Sequence, residues 1–89
     1  MDYDTDKVDD VTLALLYLVT SREEFGARAW KGFDWETMNR LHEKGHISNP
    51  LGKAKSVALS EEGAKRSHEL FEKFFGKSAA QEPSPLSPP

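Results

Sequence analysis

Apolar residues in the first part of the chain recur at helical spacing. Val8, Val11, Leu15 and Leu18 form one stripe, and Leu13, Leu16 and Val19 widen it. The pattern predicts a helix over about residues 7–20, apolar around so much of its circumference that it is buried on more than one side. Thr5 or Asp6 is placed to cap it, and Asp9 and Asp10 suit the positive end of its dipole. A second helix opens at Asp34 as N-cap, with Trp35, Met38 and Leu41 on one face. It ends near Lys44, because Gly45 stands where a left-handed residue follows a helix and Pro50 comes soon after. Lys55, Val57 and Leu59 alternate with small residues, the period of a half-buried strand. Ser60 then caps a long last helix, with Glu61 and Glu62 in its first turn. Ala64, Ser67, Phe71, Phe74 and Phe75, with Leu70, are expected on its inner face, and Gly76 closes it. Between the first two helices, Gly26 and Gly32 bracket a segment too short for periodicity to decide, read here as a short strand.

Composition narrows the class. With 89 residues, a single small domain buries only about 60% of its unfolded surface, and the apolar residues suffice for one core. The expected layout is a flexible N-terminus at 1–5, a domain at 6–76 and a disordered Pro/Ser-rich tail at 77–89. The absence of cysteine excludes disulfides and thiolate metal sites. An acidic start and the lack of a long apolar run lead to the expectation of a cytoplasmic protein without membrane association. The net charge of −3 is unevenly spread. The first 25 residues are strongly acidic, whereas the middle of the chain carries Arg28, Lys31, Arg40, Lys44, Lys53 and Lys55 against Asp34, Glu36 and Glu43.

Two stretches resemble winged-helix domains of the MarR and PadR type. Leu41-His42-Glu43-Lys44-Gly45-His46-Ile47 is similar to the end of the third helix there, and Val57-Ala58-Leu59-Ser60-Glu61-Glu62-Gly63 to the exit from the wing. The whole chain also resembles a family of short bacterial proteins of unknown function, through Ala29-Trp30-Lys31-Gly32-Phe33-Asp34-Trp35 and Lys53-Ala54-Lys55-Ser56-Val57. The resemblance to winged helices implies an α+β, winged-helix-like domain, mostly helical, with a short two-stranded sheet and a long C-terminal helix. The short-protein family implies no activity.

Three constellations carry candidate chemistry. Arg28, Lys31, Arg40, Lys44, Lys53 and Lys55 are candidates for phosphate contacts with DNA. Acidic neighbours on the helix from Asp34 weaken that reading, since they repel phosphate. Trp30, Phe33 and Trp35 are candidate anchors for a partner, because tryptophan is enriched at binding hot spots. His42-Glu43-Lys44-Gly45-His46 spells the zinc-protease pattern H-E-x-x-H, which requires both histidines on one helix face and a third ligand. The pattern runs out at Ile47-Ser48-Asn49-Pro50 and no third ligand follows at family spacing, so the expectation is no catalytic residue, metal or cofactor. Pro85-Leu86-Ser87-Pro88 reads as a weak P-x-x-P signal. The function expected is a non-enzymatic module for an unknown protein partner or a homodimer. A small DNA-binding regulator is the alternative, and no small-molecule substrate is evident.

Overall fold

The computed structural model describes residues 1–23 and 26–77, with Arg22 and Glu23 described in their backbone alone. Helix α1 (Thr5–Leu16) runs into a single 3₁₀ turn at Tyr17–Val19. Strands β1 (Thr20–Glu23) and β2 (Gly26–Trp30) follow, then α2 (Trp35–Glu43), β3 (Ser56–Leu59) and α3 (Glu61–Phe75). The strands form one antiparallel sheet in the order β1-β2-β3. The architecture is α+β. The proline-rich tail, including Pro85 to Pro88, lies outside the described residues.

Each α-helix starts on a side-chain oxygen that accepts the amide three residues on. Asp4 takes Lys7, Asp34 takes Thr37, and Ser60 takes Gly63. The α2 and α3 caps are those expected from the sequence. The first helix begins earlier than expected, so Thr5 is helical and Asp4 is the cap. Three adjacent residues there can all cap, and local chemistry alone does not choose among them. At its far end, α2 closes with paired bonds from Gly45 N–H to the His42 carbonyl and from His46 N–H to the Leu41 carbonyl. That arrangement requires Gly45 at φ +82°, where a side chain is strained.

The core packs three helices on one face of the sheet. Ala27 and Ala29 of β2 pair with Leu59 and Val57 of β3 and face inward. Leu13, Leu16, Met38, Leu41, Ile47 and Leu70 meet them. The inward face of α1 differs from the expected stripe. Asp9, Thr12, Leu13, Ala14 and Leu16 are buried, while Val8, Val11 and Leu15 are only half-buried and Leu18 is 65% exposed. Ala14 lets neighbours approach closely, and the chain leaves the helix at Tyr17 to form the sheet, so Leu18 and Val19 never reach the core.

The sheet has three strands where two were expected. Residues 20–30 form a hairpin that places β1 on the outer edge of β2. This hairpin fills the position at which winged-helix domains carry a separate helix. Ile47 bridges Leu59 on the other edge of β3, and Ser48 N–H donates to the Ala58 carbonyl at 2.8 Å. Residues 44–55 thus loop from α2 to the sheet.

Candidate functional site

Alternation along β2 decides which aromatic residues reach the surface. With Ala27 and Ala29 inward, Arg28 and Trp30 point to the open face of the sheet. Trp30 lies over Gly32, and a Cβ at that position would collide with the indole Nε1. Trp35 opens α2 and is also half-exposed. The two indoles, with Lys31, Gly32 and Lys55, line a cleft of about 300 Å³. Phe33 turns the other way and packs against the core. The three aromatics grouped by the sequence therefore separate, two to the surface and one inward.

Four of the six cations are held within the fold. Arg28 donates from Nε to the Ser56 hydroxyl and from Nη2 to the Ser56 carbonyl, both at 2.9 Å. Lys31 Nζ clasps the loop by donating to the Pro50 and Gly52 carbonyls at 2.8 and 2.9 Å. Arg40 Nε donates to both oxygens of the fully buried Asp9 carboxylate, at 2.8 and 3.1 Å. Lys44 Nζ reaches Asp9 at 2.8 Å and Asp6 at 3.0 Å. Burial works to lower the Arg40 pKa, but the hydrogen bonds to Asp9 and its charge outweigh this and hold it above its ordinary value. The Asp9 hydrogen bond likewise raises Lys44, against desolvation and with Asp6 assisting. Lys53 and Lys55 are exposed on the 44–55 loop. Arg40 and Lys44 bind α2 to α1, Arg28 lies on the sheet, and Lys31 and Lys55 line the tryptophan cleft.

The H-E-x-x-H letters fall across a helix end. His42 lies in α2, whereas His46 follows Gly45 outside it. The His42 Nδ1 is 3.1 Å from the Ile47 carbonyl, and since a carbonyl only accepts, that nitrogen carries the proton. His46 Nδ1 is buried without a partner among the described residues. No three His, Cys, Asp or Glu side chains gather to hold a metal among those residues. No helix among them is long and apolar enough to cross a membrane.

With the fold in view, comparison with known proteins adds one decisive match. The family described as Domain of unknown function (DUF6429) matches residues 4–77. The chain belongs to that family. The match spans every described element, from the Asp4 cap to the end of α3. The DUF6429 domain here is 52% identical over 75 residues to "Uncharacterized protein y4hR" of the bacterium Sinorhizobium fredii (strain NBRC 101917 / NGR234), covering 84% of this chain and 97% of that protein. No solved structure matches the chain. The likeness of the DUF6429 domain to winged helices thus rests on its sequence motifs alone.

Two features of the DUF6429 domain were not anticipated from its sequence. One is the Asp9 ion pair, whose signal was present: Asp9 precedes Leu13 and Leu16 by four and seven residues, so it shares their face. The other is an aromatic ladder on α3. Tyr17 stacks on His68 at 4.9 Å between centroids and tilts against Phe71 at 5.0 Å, and Phe71 meets Phe75 at 5.3 Å. Phe75, expected inside, is 48% exposed.

Proposed function

We propose that this DUF6429 domain is a non-enzymatic binding module that docks a partner protein in the cleft between Trp30 and Trp35. The carrying observation is that both indoles are half-exposed in a domain whose core is closed without them. A small domain gains more from burying tryptophan than from any other side chain, so two left at the surface mark a contact. The cleft lining includes Lys31 and Lys55 and no carboxylate. Its complement is an apolar side chain flanked by acidic residues on the partner.

A DNA-reading role has less support. Arg40 and Lys44 are engaged with the buried Asp9, and Arg28 and Lys31 are half-buried and hydrogen-bonded within the fold. Lys53 and Lys55 are thus the two of the six that are exposed without an ion-pair partner among the described residues.

The chain has two tryptophans, so the two indole N–H resonances of a ¹⁵N spectrum report on the cleft directly. Proteins retained from a bacterial lysate by the wild type, but not by a folded Trp30→Ala/Trp35→Ala variant, are purified and titrated singly. Saturable shifts of both indole signals, weakened about tenfold or more by either substitution, support the reading. It is overturned if no purified candidate moves the indoles while a short DNA duplex shifts Arg28, Lys53 and Lys55 in a salt-sensitive manner.

A further inference from the structure

A second surface, remote in chemistry from the tryptophan cleft, is uncovered among the described residues. Ala64, His68, Phe71 and Phe75 recur along α3 at i, i+4, i+7 and i+11, which aligns them on one side of the helix. This stripe lies beside the inner face formed by Gly63, Ser67 and Leu70. Tyr17 caps it by stacking on His68 and tilting against Phe71. Beyond Tyr17, Leu18 stands 65% exposed and lines a groove of about 310 Å³ with Ala27, Leu59, Ala64 and Ser67. Tyr17, Leu18, Phe71 and Phe75 therefore form one apolar surface at the junction of the 3₁₀ turn and α3.

We infer that this surface is the interface of a homodimer, in which α3 of one copy packs antiparallel to α3 of a second. The charges flanking the stripe select this occupant. Lys65 and Glu72 are seven residues apart and border the stripe on the same side. Glu72 also meets His68 Nε2 at 2.7 Å through one carboxylate oxygen, which leaves the other to face outward. Under a two-fold axis level with residues 68–69, Lys65 lies opposite Glu72 of the partner subunit, and the pairing repeats by symmetry. One copy thus carries both halves of its own complement. Area is consistent with that arrangement. Tyr17 and Phe75, 40 and 48% exposed, and Leu18 offer roughly 300 Å² of apolar surface per copy, taking about 200 Å² for a whole large side chain. A stable interface buries about 800 Å² per partner, of which the centre is apolar and the rim polar. The patch supplies such a centre, and the polar side of α3 supplies the rim.

Sedimentation velocity of the full chain, over a wide concentration range, reads the mass directly. The expected result is a dimer whose dissociation constant rises at least about tenfold in Leu18→Asp and in Phe75→Asp. Both residues are exposed, so circular dichroism should stay native in each. Lys65→Glu and Glu72→Lys should each weaken the dimer, and the double exchange should restore it, an outcome a merely structural role would not produce. Trp30→Ala/Trp35→Ala should leave the dimer unchanged, which separates this surface from the cleft. A monomer at every concentration overturns the inference, as does a dimer indifferent to Leu18→Asp, Phe75→Asp and the charge exchange.

Discussion

Asp9 is the residue whose removal tests the energetic reading of the fold most directly. Its carboxylate is fully buried and receives Arg40 Nε on both oxygens and Lys44 Nζ on one, all within 3.1 Å. Asp9→Ala deletes these bonds, leaving Arg40 without its counter-charge and Lys44 with Asp6 alone. Breaking a buried pair costs about 3–5 kcal/mol when the surviving charge stays buried. Here the survivors retain water, since the Arg40 and Lys44 side chains are 24 and 37% exposed. The expected cost is therefore lower, about 2–3 kcal/mol. Arg40→Met reverses the situation, stranding a buried carboxylate with Lys44 alone, and should cost about 3–4 kcal/mol. Asp9→Leu combined with Arg40→Met removes the pair altogether and should recover part of the loss, because apolar replacements of buried pairs are often close to neutral. Urea unfolding followed by circular dichroism at neutral pH gives all three values. In thermal melts the Asp9→Ala loss corresponds to a fall of roughly 8–24 °C for a domain this small. The reasoning fails if Asp9→Ala unfolds within about 0.5 kcal/mol of wild type, or if Arg40→Met proves the milder of the two single changes.

Further outcomes follow from other contacts. A Cβ at Gly63 would collide with the His46 carbonyl oxygen, a backbone atom that also accepts Ser60 N–H at 3.0 Å. Gly63→Ala should push α3 from the end of α2 and cost about 2–3 kcal/mol in urea unfolding, and a change near zero would show that the two segments slide freely. Ser67 Oγ donates to the Leu13 carbonyl at 2.7 Å inside the α1–α3 contact, so Ser67→Ala should cost about 1 kcal/mol by the same assay. Asp34 is held below its ordinary pKa of 3.8 by the Thr37 hydroxyl and amide. A depressed carboxylate stabilises above its unfolded pKa and loses that contribution as pH falls through its folded value. The gap in urea midpoint between wild type and Asp34→Ala should persist at neutral pH and vanish as pH drops well below 3.8; a gap that survives in strong acid refutes the capping role.

How much was legible follows from where each signal is stored. The caps at Asp34 and Ser60, the stop at Gly45 and the β3 alternation are local, and each was readable from a few neighbouring residues. The inward face of α1 was not, because Val8, Val11, Leu15 and Leu18 make as good a helical stripe as Asp9, Leu13 and Leu16. The choice between them depends on Arg40, which is 31 residues from Asp9 in sequence. A carboxylate at heptad spacing from buried leucines was the clue, and hydrophobicity alone discards it. Of the three aromatics grouped as partner anchors, Trp30 and Trp35 are exposed, while Phe33 packs against the core. Along β2 the small Ala27 and Ala29 are the inward pair, and alternation then sends Trp30 to the open face. The 3₁₀ turn at Tyr17–Val19 is apolar in sequence and exposed in fact, since its backbone is committed to entering the sheet.

The same logic bears on what the domain contacts. A positive residue has two uses, neutralising a carboxylate within the fold or meeting an anion outside it, and a strong internal partner excludes the second. Arg40 and Lys44 are committed to Asp9, and moving either toward a phosphate would strand a fully buried charge. Lys31 is positioned by the Pro50 and Gly52 carbonyls and Arg28 by Ser56, neutral partners that fix their geometry without neutralising their charge. Of the six, the Lys53 and Lys55 side chains alone are free of the fold's hydrogen bonds, and contacts confined to these two would neutralise about two phosphates, giving a logarithmic salt slope of only about −2. A regulator making six to ten phosphate contacts shows a slope several times steeper. A measured slope near −5 or beyond, together with a gain in DNA affinity in Asp9→Asn, would mean that the Asp9 cluster opens on binding. A slope near −2, unaffected by Asp9→Asn, leaves Lys53 and Lys55 on the exposed 44–55 loop, with Lys55 beside the cleft between Trp30 and Trp35 in which the proposed partner would dock.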